Sequence, residues 1–197
     1  MPVNRAPDIV GILLAAGRGT RFGGDKLLAR LASGDFAGEP MGVVALRHLR
    51  LAVPDVIAVV RDDDRALAAQ LGANGARIVR CPNADDGMGA SLACGVRATA
   101  DARGWLVALA DMPWIAPTTI ARVAAVIADG TTIAAPFYRG ERGHPVGFSA
   151  PCYDALVALT GDEGAKAIVA SQRDRVVRID VDDAGILRDV DTRAGLG

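Results

Sequence analysis

Cysteine is scarce in this chain. There are three, Cys81, Cys94 and Cys152, and no C-x-x-C pair. That spacing speaks against a zinc site, and the odd count fits a reducing compartment better than a disulfide framework. Aromatic residues make up only 4% of a sequence that is 51% hydrophobic, so Ala, Val, Leu and Ile must fill the core. No apolar run approaches the roughly 20 residues a membrane span needs. The opening MPVNRAPDIV has no apolar signal core. Charge of one sign is also missing, with Lys+Arg at 22 and Asp+Glu at 23. General nucleic-acid or membrane-surface binding calls for a basic excess, so neither partner is expected. These absences together predict a cytoplasmic protein. Its 197 residues fit one domain, 1–197.

Glycine, by contrast, is plentiful, and it clusters where chemistry is expected. Ile9 to Lys26 reads IVGILLAAGRGTRFGGDK. The apolar run Ile9 to Ala16 predicts a buried strand. It breaks into Gly17, Gly19, Gly23 and Gly24, with Arg18, Arg21 and Lys26 among them. Glycines let backbone N–H groups approach an anion closely, and consecutive N–H groups make an anion-binding concavity. Arg and Lys add countercharge at different reach. The expected ligand is a polyphosphate. Two familiar phosphate loops do not fit. Gly19 and Gly24 have the Walker A spacing, but Asp25 follows where Lys is needed, and Leu27 follows Lys26. Gly17 and Gly19 begin a dinucleotide fingerprint, but Phe22 stands at its third glycine.

Apolar periodicity predicts helices over 41–52, 65–71, 90–100, 117–129, 151–159 and 163–171. Strands are expected over 56–60, 77–80, 105–110, 132–135, 145–149, 176–181 and 186–190. A glycine loop, Pro82 to Gly89, precedes the third helix, and Arg139 to Gly143 reads as a charged turn. Strands alternating with helices predict a single-domain α/β fold with three αβα layers and a mainly parallel, Rossmann-like sheet. Ligands of such sheets sit at the C-terminal ends of the strands. The first glycine loop, the Gly87 loop and Asp111 each follow a candidate strand, so three polar features should collect at one edge.

Leu14 to Lys26 resembles the signature loop of nucleotidyltransferases, in outline L-A-x-G-x-x-x-R-x-x-x-x-K. It looks most like the branch that transfers a nucleotide to molybdopterin, the molybdenum cofactor nucleotidyltransferases. In that branch Ala-Ala-Gly accompanies CTP and Ala-Gly-Gly accompanies GTP. This chain has Ala15, Ala16 and Gly17, and a methyl group at the second position would narrow the base pocket. The resemblance therefore implies CTP, with GTP as the alternative. LADMP, Leu109 to Pro113, resembles the family's metal motif; GMGASLACG, Gly87 to Gly95, resembles its base-and-ribose loop; GHPVGF and GDEGAK resemble segments of the molybdopterin branch.

Candidate roles follow from chemistry and from the resemblance together. Asp111, a carboxylate at a strand end, suits Mg²⁺, which takes one or two carboxylates plus phosphate oxygens and waters; the plainer reading is a turn cap. Asp191 is the expected second metal contact, with Asp189 competing and a solvated turn as the alternative. Arg21 and Lys26 would hold the triphosphate, where fixed cations stabilise charge that builds on the α-phosphoryl and departing pyrophosphate. Leu14, Ala15, Ala16, Gly17, Gly19, Gly87, Gly89 and Ser91 would hold the nucleoside, Ser91 doubling as a helix N-cap. His144 and Asp162 would face the pterin phosphate acceptor, Asp162 serving chiefly as an N-cap; His48 is expected to be structural. The receiving partner would be a molybdoenzyme or its chaperone. Alternatives remain open: another small phosphorylated acceptor, a non-catalytic pterin chaperone, or, given the missing third glycine, a dinucleotide oxidoreductase with least support.

Overall fold

The computed structural model describes residues 9–197; the segment read above as lacking a signal core lies largely outside them. Among the described residues, eight strands form one sheet. They are β1 (Val10–Leu14), β2 (Val56–Arg61), β3 (Arg77–Cys81), β4 (Gly104–Leu109), β5 (Ile133–Tyr138), β6 (Glu141–Arg142), β7 (Val146–Ser149) and β8 (Val176–Asp180). The order is β3-β2-β1-β4-β7-β5-β6, with β8 on β5. Pairs among β1 to β4 are parallel, as is β5 with β8, while β6 and β7 run against their neighbours. The mainly parallel α/β expectation holds.

Helices cover both faces, as such a sheet requires. Alternate residues of each central strand feed the two cores. Leu13, Ala58 and Leu106 face the core shared with α1 (Met41–Ala52), α2 (Arg65–Ala73) and α4 (Pro117–Ala128). Ile12, Ile57 and Trp105 face the core shared with α3 (Met88–Arg97), α5 (Tyr153–Val157) and α6 (Lys166–Ser171). Helix α1 starts after Pro40 and ends at Val53, just before Pro54, because a residue preceding proline avoids the helical region. Asp64 caps α2 by accepting from the Leu67 N–H at 3.0 Å.

Several expectations are corrected. Residues 186–190 do not form a strand. Ala184–Leu187 is a 3-10 turn, and Asp183 sets it by accepting from Gly185 N–H, Ala116 N–H and the Thr119 hydroxyl. Ile186 and Val190 are fully buried, so the apolar signal was real, but burial comes from packing and not from a ladder. The first strand stops at Leu14, short of Ala16. Helix α3 begins at Met88, so Ser91 lies inside it and is no N-cap; its hydroxyl donates to the Gly87 carbonyl at 3.4 Å. Helix α6 begins at Lys166, too late for Asp162 to cap it. The charged turn at 139–143 contains the short strand β6.

Candidate active site

The parallel strands β1, β2, β3 and β4 all end on one edge, where the loops after β1, β3 and β4 and the last residue of β2, Arg61, line a single cleft of about 540 Å³. Its lining includes Leu14, Ala15, Ala16, Gly17, Gly19 and Lys26 from the first loop. Gly87, Ser91, Asp111 and Asp162 are the other predicted residues on its wall; Arg21, Gly89, Asp191 and His144 do not line it. The glycine loop and the carboxylate after β4 therefore share one rim.

Lys26 is the centre of this edge. Its Nζ donates to Asp111 Oδ2 at 2.9 Å and lies 3.4 Å from Asp191 Oδ1. Its side chain is only 11% exposed, and these two carboxylates supply its countercharge. Arg21 is 82% exposed and reaches Asp191 Oδ2 at 3.5 Å. Gly19 makes the Lys26 position possible. Its φ is +58°, and a Cβ there would stand 2.8 Å from the Lys26 Cβ.

What holds Asp191 near Asp111 is a small apolar hub. Phe22 of the glycine loop packs with Leu31, Met41, Val44 and Val190. The Val190 N–H donates to the Asp111 carbonyl at 3.0 Å. One residue to either side of this hub stand Arg21 and Asp191. The competitor Asp189 has no bond to Lys26.

Some predicted residues sit elsewhere. Gly89 is buried beneath the chain's own Thr160–Gly161 segment; its N–H donates to Gly161 O at 2.7 Å, and a Cβ would lie 2.6 Å from Thr160 O. Its close approach is thus to backbone and not to a base. Leu14 O accepts from Ala110 N–H and Ala15 N–H donates to Val59 O, so these two backbone groups are already paired within the sheet edge. His144 lines an adjoining cavity of about 390 Å³ that also contains Asp162. His48 is structural as expected, edge-on to Phe36 with ring centroids 4.9 Å apart.

The sequence reading missed Asp85 and Arg61. Arg18 of the first loop donates to Asp85 from Nε at 2.9 Å, and Arg61, at the end of β2, also bonds Asp85. These arginines hold the Asp85 carboxyl well below the usual carboxylate range, Arg61 contributing most. The clasp ties the two glycine loops across the cleft. Its signal in the sequence is the acidic pair Asp85 and Asp86 just before Gly87.

Both histidines have a buried Nδ1 without a partner among the described residues. Burial pushes both imidazoles below their ordinary value of 6.5, against smaller opposing contributions from backbone bonds at Ile115 and Val107 respectively. The unfolded chain then takes up protons first as the pH falls through 6.5, and stability drops there. Urea unfolding at pH 7.5 and 5.5 should show this loss, and the double variant His48→Gln/His144→Gln should shrink it. An unchanged pH slope would refute the assignment.

Parallel strands, helices on both faces and a cation ringed by two carboxylates at a glycine loop define a nucleotide-handling α/β enzyme. The chain belongs to the MobA-like NTP transferase domain family, whose model matches residues 11–176, and it is a nucleotidyltransferase. It is similar to the molybdenum cofactor guanylyltransferase of Burkholderia ambifaria, at 36% identity over 88% of this chain and 82% of that protein. It is also similar to the nicotine blue oxidoreductase of Paenarthrobacter nicotinovorans, at 29% identity over 94% and 93% of the two chains. Among solved structures, Rv0371c of Mycobacterium tuberculosis superposes with a TM-score of 0.81 at 31% identity, covering 96% of this chain and 95% of that one. The same relative has been solved in complex with manganese, with a TM-score of 0.77 at 29% identity over 95% of each chain. A divalent metal therefore accompanies this family.

Proposed function

We propose that residues 1–197 act as one catalytic unit that transfers CMP from CTP to the terminal phosphate of molybdopterin and releases pyrophosphate. GTP is the alternative donor, favoured by the name of the Burkholderia relative. CTP is favoured by Ala16, buried on the cleft wall, where a glycine would leave more room for a purine. The observation that carries the reading is the meeting of Lys26, Asp111 and Asp191 beside the glycine loop.

Two carboxylates from distant segments already share one ammonium, and that is a donor set Mg²⁺ can use alongside phosphate oxygens and water. Asp111 and Asp191 are the residues that would hold it; the ion, when bound, offsets charge on the phosphate oxygens. An acceptor phosphate oxygen attacks the α-phosphorus, the bond to the β-bridging oxygen breaks, and pyrophosphate leaves. No protein nucleophile is required. Lys26 and Arg21 present fixed positive charge where the α-phosphoryl and leaving group gain negative charge. Ala16, Gly17 and Ser91 orient the nucleoside, and His144 and Asp162 border the space left for the acceptor.

The test is pyrophosphate release from each NTP with Mg²⁺ and molybdopterin. Release with CTP, and a shift of the GTP/CTP preference toward GTP in Ala16→Gly, are expected. Folded protein that yields no pyrophosphate with any donor would overturn the proposal. An unmoved preference would remove Ala16 as the base selector.

A further inference from the structure

The cleft does not end at Asp162. Leu14, Met88, Leu109 and Asp162 line both it and the adjoining cavity that contains His144. Arg142, Lys166 and Val169 in turn line both that cavity and a third, of about 520 Å³. The three spaces run on from one another. The charged lining of the third is wholly basic: Arg142, Lys166, Arg173 and Arg178.

These four cations are not equivalent. Arg178 is occupied, donating to Asp180 at 2.9 and 2.7 Å and lying over the Phe137 ring at 4.5 Å. Arg142, Lys166 and Arg173 have no ion pair among the described residues. Arg142 stands at the junction of the second and third spaces, on β6, two residues before His144. Burial lowers its affinity for its proton, and no acid offsets that effect. Arg142, Lys166 and Arg173 are all exposed to solvent, so an anion entering the third space meets three cations that no carboxylate among the described residues occupies. The planar fork of arginine matches a phosphate or a carboxylate.

We propose that Arg142, Lys166 and Arg173 form a second anion subsite, which holds a further acidic group of the acceptor at the end remote from the phosphate that reacts. This rests on the nucleotidyl-transfer reading above. The middle of the acceptor would cross the second space, where Leu92, Val107, Val146 and Phe148 form apolar wall beside His144, with Asp162 and Glu163 also on the lining. Those apolar walls suit a flat ring system. The acceptor class is therefore a phosphate monoester that carries a second phosphate, carboxylate or oxyanion beyond a ring.

Isotope-labelled protein titrated with inorganic sulfate, followed by backbone amide NMR, reads the subsite directly. Saturable shifts are expected at Arg142 and over residues 166–173. Arg142→Gln and Arg173→Gln should each weaken them about tenfold, while shifts of residues 17–26 on adding CTP and Mg²⁺ stay as in the parent. In steady state, Arg142→Gln should raise KM for a doubly anionic acceptor about tenfold and leave KM for CTP unchanged. Sulfate shifts that merely track chloride at equal ionic strength would overturn the subsite, as would an unaltered acceptor KM. Failure of the parent protein to release pyrophosphate would instead sink the nucleotidyl-transfer reading, and the sulfate titration would still decide the subsite.

Discussion

Asp111→Ala is expected to lower turnover by about 10²-fold or more while the melting temperature moves only slightly. Removing one preorganised electrostatic partner of a reacting phosphate costs on that scale. The structural cost is smaller for a definite reason. Asp111 is partly exposed, and Lys26 keeps Asp191 at 3.4 Å after the change. Partly solvated pairs of this kind contribute up to about 1 kcal/mol, or about 2–4 °C in a chain of this size. Pyrophosphate release and calorimetry on the same preparation separate the two effects. Turnover near that of the parent would remove Asp111 from the metal role, and a large drop in melting temperature would make it structural.

The second large effect concerns the loop before α3. Gly87 has φ +109° and ψ −177°, a region open almost only to glycine, and an added Cβ would run into the Gly161 carbonyl. Gly87→Ala should cost about 2–3 kcal/mol from strain alone, or about 5–10 °C in melting temperature. Gly17→Ala is the matched control. Nothing lies within 4 Å of a Cβ there, so its fold should survive, while nucleotide affinity should fall if, as proposed, this backbone lies against the nucleoside. Equal melting temperatures for the two variants would contradict this account.

These residues also show how far the sequence could be read. Helix α1 was legible to the residue because Pro40 and Pro54 bracket it. The glycine loop was legible because glycine and cation spacing is local chemistry. That Lys26 would meet Asp111 and Asp191, 85 and 165 residues away, was legible only as a set of candidates. Their meeting depends on β1 lying beside β4 and on Val190 packing under Phe22. The Arg18–Asp85–Arg61 clasp was not legible, because it needs the order β3-β2-β1, which no local pattern encodes. Ile186 to Val190 was misread because two buried residues in a short apolar run look alike whether they are paired in a ladder or wedged in place. Asp162 was misread because an acid before an apolar run resembles a cap, yet the helix starts only at Lys166, after Gly164 turns against Met88.

The stitch from Val190 to the Asp111 carbonyl has a bearing on how the enzyme is born. During translation the glycine loop emerges early and the β4 carboxylate at mid-length, but Asp191 leaves the ribosome only after all eight strands have done so. On the proposed reading, a nascent chain would have its glycine loop well before the second carboxylate joins Lys26, and transfer would wait until the sheet is whole.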